Sequence, residues 1–218
     1  VRASGRITFT GIVPTNPPAM SRFIVPARMV AVTDEVLQFP IVAEASPSGK
    51  DIHVVDIFMT VDADKWEAVD VDPSTAGIQP FTLGEVITAT GNVSQIAMTS
   101  GDNLRLDFIY SDPGATSPLS NLNGQLPIVF ANLRAKSLTA STVRTSITLD
   151  NSGTRISKMM DSLFVNVNAF VPQPTNVTIN RRSKVSGTVP LQGRSSSADT
   201  VTFILREVGS FSAISDPL

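Results

Sequence analysis

The sequence predicts an all-β chain: an antiparallel β-sandwich of the jelly-roll type, with a β-arm at each end. Three observations carry this. Apolar residues alternate with polar ones at period two, turn residues recur at short intervals, and no segment shows a long amphipathic helical pattern. Leu104, Leu106, Phe108 and Tyr110 fall on one side of an extended chain, with Arg105 and Asp107 on the other. Val143, Thr145, Ile147 and Leu149 alternate in the same way, as do Leu163, Val165, Val167 and Ala169 against Asn166 and Asn168. Ile52 to Val61 is nearly continuous apolar sequence, expected of a strand buried at the centre of a sandwich. Turns are expected at Pro47-Ser48-Gly49, Asp72-Pro73, Asp112-Pro113-Gly114, Asn123-Gly124 and Asn151-Ser152-Gly153. Short helical turns are expected only at 155–163 and at Ser117 to Leu122.

In chain order, residues 1–27 read as an N-terminal β-arm and 28–171 as the main sandwich. Residues 172–184, with Pro172 and Pro174, read as a stiff extended linker, and 185–218 as a C-terminal β-arm. The arms share a pattern. Ser4-Gly5-Arg6-Ile7-Thr8-Phe9-Thr10-Gly11 and Ser186-Gly187-Thr188-Val189-Pro190-Leu191-Gln192-Gly193 are both a glycine turn feeding a short strand that stops at another glycine. The second arm holds two strand candidates, Val185 to Leu191 and Thr200 to Glu207. Neither arm is long enough to bury a core of its own, so each is expected to dock elsewhere.

Composition narrows the function. The chain has 218 residues, 42% apolar and 17% charged, enough to bury a core and too apolar for a disordered protein. A net charge of −2 gives no basic surface to steer nucleic acid, and Arg181, Arg182 and Lys184 read as a solvated segment. The absence of cysteine excludes disulfides, thiolate nucleophiles and Cys-based metal sites. No apolar run approaches the roughly 20 residues of a spanning helix. Abundant Ser and Thr, 15 prolines and little lysine point to an extracellular or cell-surface protein of the secreted prokaryotic type. Val1 opens directly in strand-like sequence, as expected of a mature or excised chain. Asn92-Val93-Ser94 and Asn176-Val177-Thr178 match the N-glycosylation triplet.

The residues offer little for catalysis, and no enzyme activity is expected. His53 is the sole histidine; on a strand it and Asp56 face opposite sides, so they form no local dyad, and His53 is expected to face solvent or a partner. Asp62, Asp64, Asp70 and Asp72 are the candidates for Ca²⁺, which prefers hard carboxylate oxygens. They lack the spacing of a calcium loop, so the expectation is that they cap turns and that no cofactor is bound. Trp66, the only indole, is expected to anchor the core.

The segment Val61-Asp62-Ala63-Asp64-Lys65-Trp66-Glu67-Ala68-Val69-Asp70-Val71 resembles the Y-D-P-x-x-L-x-x-x-x-V segment of the cohesin family, the β-sandwich modules of bacterial and archaeal extracellular assemblies. Asp62 falls on the family aspartate and Trp66 on the apolar position four residues later, while Val61 and Ala63 replace the usual tyrosine and proline. Val36 to Val42 followed by Ile52 to Val61 is similar to the family's first two strands. Gly124 to Phe130 is similar to its G-x-L-x-x-I-x-F strand, one residue short. The resemblance covers residues 30–170. It implies a cohesin-like sandwich that docks a dockerin-like domain or a cell-surface glycan on one sheet face. Val185 to Arg194 also resembles a G-x-V-x-L-Q-G-R segment of secreted modular proteins.

The arms suggest a different function from the one the resemblance implies. If their strands complete a neighbour's sheet, the protein is a structural subunit that self-assembles into a filament or surface array by strand exchange. The interface residues are then Ile7, Phe9, Val189, Leu191, Val201, Phe203, Ile204 and Leu205, and the partner is a further copy of the chain.

Overall fold

The computed structural model describes residues 21–46, 51–87, 91–112, 119, 122–167 and 171–182. Their strands are β1 (Arg22–Ile24), β2 (Arg28–Val32), β3 (Val36–Glu44), β4 (Val54–Asp62), β5 (Trp66–Ala68), β6 (Phe81–Leu83) and β7 (Asn92–Ser100). There follow β8 (Asn103–Ser111), β9 (Asn123–Ala135), β10 (Thr142–Leu149), β11 (Asn151–Ser152), β12 (Arg155–Ile156), β13 (Lys158–Met160) and β14 (Thr175–Asn180). Among the described residues there is no helix.

The strands form two sheets packed as a sandwich. The smaller runs β1-β3-β9-β5, with β6 also on β9; the larger runs β2-β14-β10-β4-β8-β7, with β13 also on β4. All pairs are antiparallel except β14 with β2. Alternation explains which faces meet. Val55, Ile57, Met59 and Val61 of β4 and Leu104, Leu106, Phe108 and Tyr110 of β8 are buried. They face Phe39 and Ile41 of β3 and Val129, Ala131 and Leu133 of β9, equally buried. The Phe81 and Phe108 rings, one from each sheet, stand 5.4 Å apart and tilted, so the core is continuous across the sandwich. Trp66 is 1% exposed, as a core anchor should be.

Prolines and bulges locate the irregularities. Pro127 cannot donate to a ladder, and it lies where the β3–β9 register slips, between the Ile41–Val129 and Glu44–Asn123 pairs. Asn123-Gly124, expected as a turn, instead opens β9, with Gly124 at φ +77°. Asn151-Ser152-Gly153 does turn the chain, joining β11 to β12 with Gly153 at φ +64°.

Several elements depart from the sequence reading. Thr175–Asn180, within the segment read as a linker, is β14, inserted between β10 and β2. Arg22–Ile24, within the segment read as an arm, is β1 and pairs with Val42–Glu44. The sheets therefore extend beyond 28–171 at both ends. Residues 155–163, expected as a helical turn, hold β12 and β13 instead. Leu119, expected in another such turn, bridges Ile52, and residues 117, 118, 120 and 121 lie outside the described set.

The strand expected over 163–169 is absent from its described part. Asp161 Oδ1 accepts the N–H groups of both Leu163 and Val165, and Phe164 sits at φ +58°, so a side-chain-closed turn replaces extended pairing. His53, expected to face out, is 4% exposed: its main chain bonds Met160 and Asp112 and holds it under the end of β13.

Candidate functional site

The four aspartates named as calcium candidates lie in two separate turns. Asp62 Oδ1 accepts the Asp64 N–H at 2.8 Å, closing the β4–β5 turn that delivers Trp66 to the core. Asp70 Oδ1 accepts the N–H groups of Asp72 and Gln79, and Asp72 binds Ser74 and Thr75. Hydrogen bonds from Ser74 and Thr75 hold the Asp72 carboxyl below the usual carboxylate range. Among the described residues, no group of three or more His, Asp or Glu could hold a metal ion. The eight arm residues, Ile7, Phe9, Val189, Leu191, Val201, Phe203, Ile204 and Leu205, lie outside the described residues.

The outer face of the larger sheet has the most distinctive chemistry. Strand register sets Ser94, Ile109, Asp56 and Lys158 in one row across β7, β8, β4 and β13. The next row holds Ile96, Asp107 and Phe58, and the one after it Met98, Arg105 and Thr60. Ile96, Met98 and Ile109 are large apolar side chains left 37–43% exposed on this face.

A hairpin walls off one side. β10 pairs only with Met59–Val61 of β4, and β13 only with Val54–Asp56, so residues 151–156 loop out between them. The ladder is closed beneath the loop: Asp150 N–H donates to Phe58 O, and Ser157 Oγ accepts the Phe58 N–H. Arg155 clamps the loop down. Its guanidinium donates to Asp107 at 2.5 Å, Asp150 at 2.8 Å and Met59 O at 3.0 Å, and lies 5.2 Å from the Phe58 ring centroid. Burial works against its charge, but Asp150 and Asp107 outweigh that and raise its pKa.

Between this hairpin and the 161–166 turn is a cleft of about 340 Å³. Phe58, Ile156, Met160 and Phe164 line it together with the Asp56–Lys158 pair. Asp56 is buried, and desolvation raises its pKa despite Lys158 Nζ at 3.4 Å. Beyond the cleft the turn displays Leu163, Phe164 and Val165 in succession, at 79%, 60% and 56% exposure. A folded chain does not hold three neighbouring apolar side chains in water for its own stability.

Chemically, this is an apolar surface beside paired charges. Asp56 in the cleft, and Asp107 and Asp150 beneath the hairpin beside it, are each matched to a cation. The smaller sheet contrasts with it: the Glu67–Arg134 pair and the Asn132 amide, bonded to Pro80, Thr82 and Gln38, occupy its outer side. Sequence reasoning passed over Ile96, Met98, Ile109 and Phe164. Their signal was apolar residues on the polar phase of otherwise alternating strands, and an unbroken Leu163-Phe164-Val165 run beside a turn-forming aspartate.

No protein-family model and no curated protein matches the chain. Solved structures do. A chain of the crystallised complex of CaDoc0917 with CaCohA2 is 15% identical at a TM-score of 0.53, over 74% of this chain and 99% of that one. The cohesin module of a family 33 glycoside hydrolase from Clostridium perfringens is 8% identical at 0.50, over 76% of this chain and 100% of that one. The second type II cohesin module of the ScaA scaffoldin of Acetivibrio cellulolyticus is 14% identical at 0.50, over 82% and 98%. At these identities the likeness is one of fold, and the fold is cohesin-like.

Proposed function

We propose that this cohesin-like sandwich is a non-catalytic, extracellular binding module that docks a dockerin-like protein domain on the outer face of its larger sheet. The carrying observation is the cleft between Ile156 and Phe164, continued outward by exposed Leu163, Phe164 and Val165. Anchor residues in such a setting, surrounded by paired charges that fix orientation, are the usual make-up of an interface centre. Burying Leu163 or Phe164 in a partner contributes about 1.5–3 kcal/mol each. One of the similar structures is itself a docked pair, which supports the same reading. The strand-exchange filament expected from the arms gains no such support, and the docking reading takes its place.

The test is a titration of this chain against a panel of purified dockerin domains. At least one is expected to bind, with Phe164→Ala and Ile109→Ala weakening it about tenfold or more and Glu67→Ala, on the other sheet, leaving it unchanged. Circular-dichroism melts of the variants check that the fold is kept. No binding by any domain, or a loss confined to Glu67→Ala, contradicts the reading.

A further inference from the structure

The outer face of the larger sheet continues past β10 onto β14 and β2, and there its chemistry changes. Register sets Ser146, Asn176 and Arg28 in one row and Arg144, Thr178 and Val30 in the next. A concavity of about 570 Å³ opens over them, lined by Arg28, Val30, Arg144, Asn176 and Thr178 and, among the described residues, by no carboxylate. Arg28 and Arg144 are exposed, and no described acid pairs with either. Of the other described arginines, Arg22, Arg134, Arg155 and Arg182 are each matched to Asp or Glu, while Arg105 and Arg181 also lack a described acid but do not line this hollow. In a chain of net charge −2, two unmatched guanidinium groups sharing one carboxylate-free hollow are an unspent local positive charge.

Their placement limits what fits. Arg28 and Arg144 stand diagonally across β14, two strands and one pleat repeat apart, about 12 Å between Cα atoms. A lone phosphate does not need that spread; a ligand with carboxylates spaced along a chain does. Asn176 and Thr178 lie between them and offer neutral hydrogen-bonding groups, and Val30, 64% exposed, offers an apolar shelf. Among the described residues no aromatic ring lines the hollow, so they offer a sugar no stacking platform there. These features favour a peptide over an acidic glycan.

We propose that the β2–β14–β10 end of this face is a docking site for an acidic peptide segment. Two Asp or Glu carboxylates of the segment take bidentate bonds from Arg28 and Arg144. The inference rests on reading the face as a docking surface and adds the charge that the partner carries. Charge matching of this kind sets register and speeds encounter more than it adds affinity.

The probe is a synthetic hexaglutamate peptide, titrated calorimetrically into the full chain at low and at physiological salt, with polyglucuronate and inorganic phosphate as comparators. Hexaglutamate is expected to bind at low salt, to weaken several-fold at physiological salt, and to bind more tightly than either comparator. The Arg28→Gln/Arg144→Gln double variant is expected to lose about tenfold or more with an unchanged melting temperature. Phe164→Ala is expected to bind hexaglutamate like the parent, which separates this site from the apolar cleft and keeps the two proposals independently testable. Absence of binding, equal binding by the double variant, or a preference for polyglucuronate or phosphate overturns the proposal.

Discussion

At position 56 the chain buries a carboxylate, 8% exposed, beside a lysine that only partly compensates it. Desolvation sets the direction: the folded state holds the Asp56 proton more tightly than the unfolded chain does, whose carboxyl titrates near 3.8. With the folded pKa the higher of the two, stability is greatest below the unfolded value and declines as pH rises through the folded one. Asp56→Asn removes that slope. Between about pH 3 and pH 6 the melting temperature of the variant is expected to gain on that of the parent, leaving the variant equal or more stable at neutral pH. Gly84 makes the opposite kind of demand. A Cβ there would lie 1.9 Å from Pro127 O, while the Gly84 N–H already donates to Ile128 O at 2.7 Å. Backbone meets backbone, so nothing yields cheaply. Gly84→Ala is expected to cost about 3 kcal/mol, a drop on the order of 10 °C in melting temperature.

Among the elements, the β11–β12 hairpin depends on a single side chain. Arg155 reaches two carboxylates, a carbonyl and the Phe58 ring from a position about one-fifth exposed. Arg155→Ala leaves Asp107 and Asp150 facing each other without their cation. The expected loss is about 2–3 kcal/mol, with faster amide exchange over 151–157 and weaker docking; Arg155→Lys, which keeps charge but not the fork, is expected to fall between. The contrast between β14 and the 161–166 turn shows what was legible in the sequence. Thr175-Asn176-Val177-Thr178-Ile179-Asn180 alternates as cleanly as Leu163 to Ala169, yet the first is a strand and the described part of the second, 163–167, is not. Alternation reports which residues could share a face, not whether a sheet edge is free to receive them. β14 finds β10 on one side and β2 on the other, whereas Asp161 captures the amides of the second segment first. The prolines of 171–174 masked the signal of β14 by marking the approach to the strand as a linker. The central strands β4 and β8 needed no such context, because each carries its core face without interruption.

For the whole molecule, the sandwich separates two surfaces of different chemistry. Packing between the sheets was readable from period and composition, because burial of alternate residues leaves a direct trace in sequence, while the cohesin-like fold was legible only through the family resemblance of Val61 to Val71 and Gly124 to Phe130. The docking face was not. It is assembled from β7, β8, β4, β12 and the 161–166 turn, with Asp56 and Asn166 about 110 positions apart in sequence, and no local pattern announces their convergence. Asp62 and Trp66, which carried the family resemblance, turn out to build the β4–β5 turn and the core, and neither lines the cleft.

The most direct measurement is hydrogen exchange across the chain, free and saturated with a dockerin domain that binds it. Docking as proposed slows exchange in β7 and β8, in the 151–160 hairpin segment and in 161–166, and leaves β3 and β9 unchanged. Slowing confined to β3, β9 and β5, or no slowing on either sheet, contradicts the central claim.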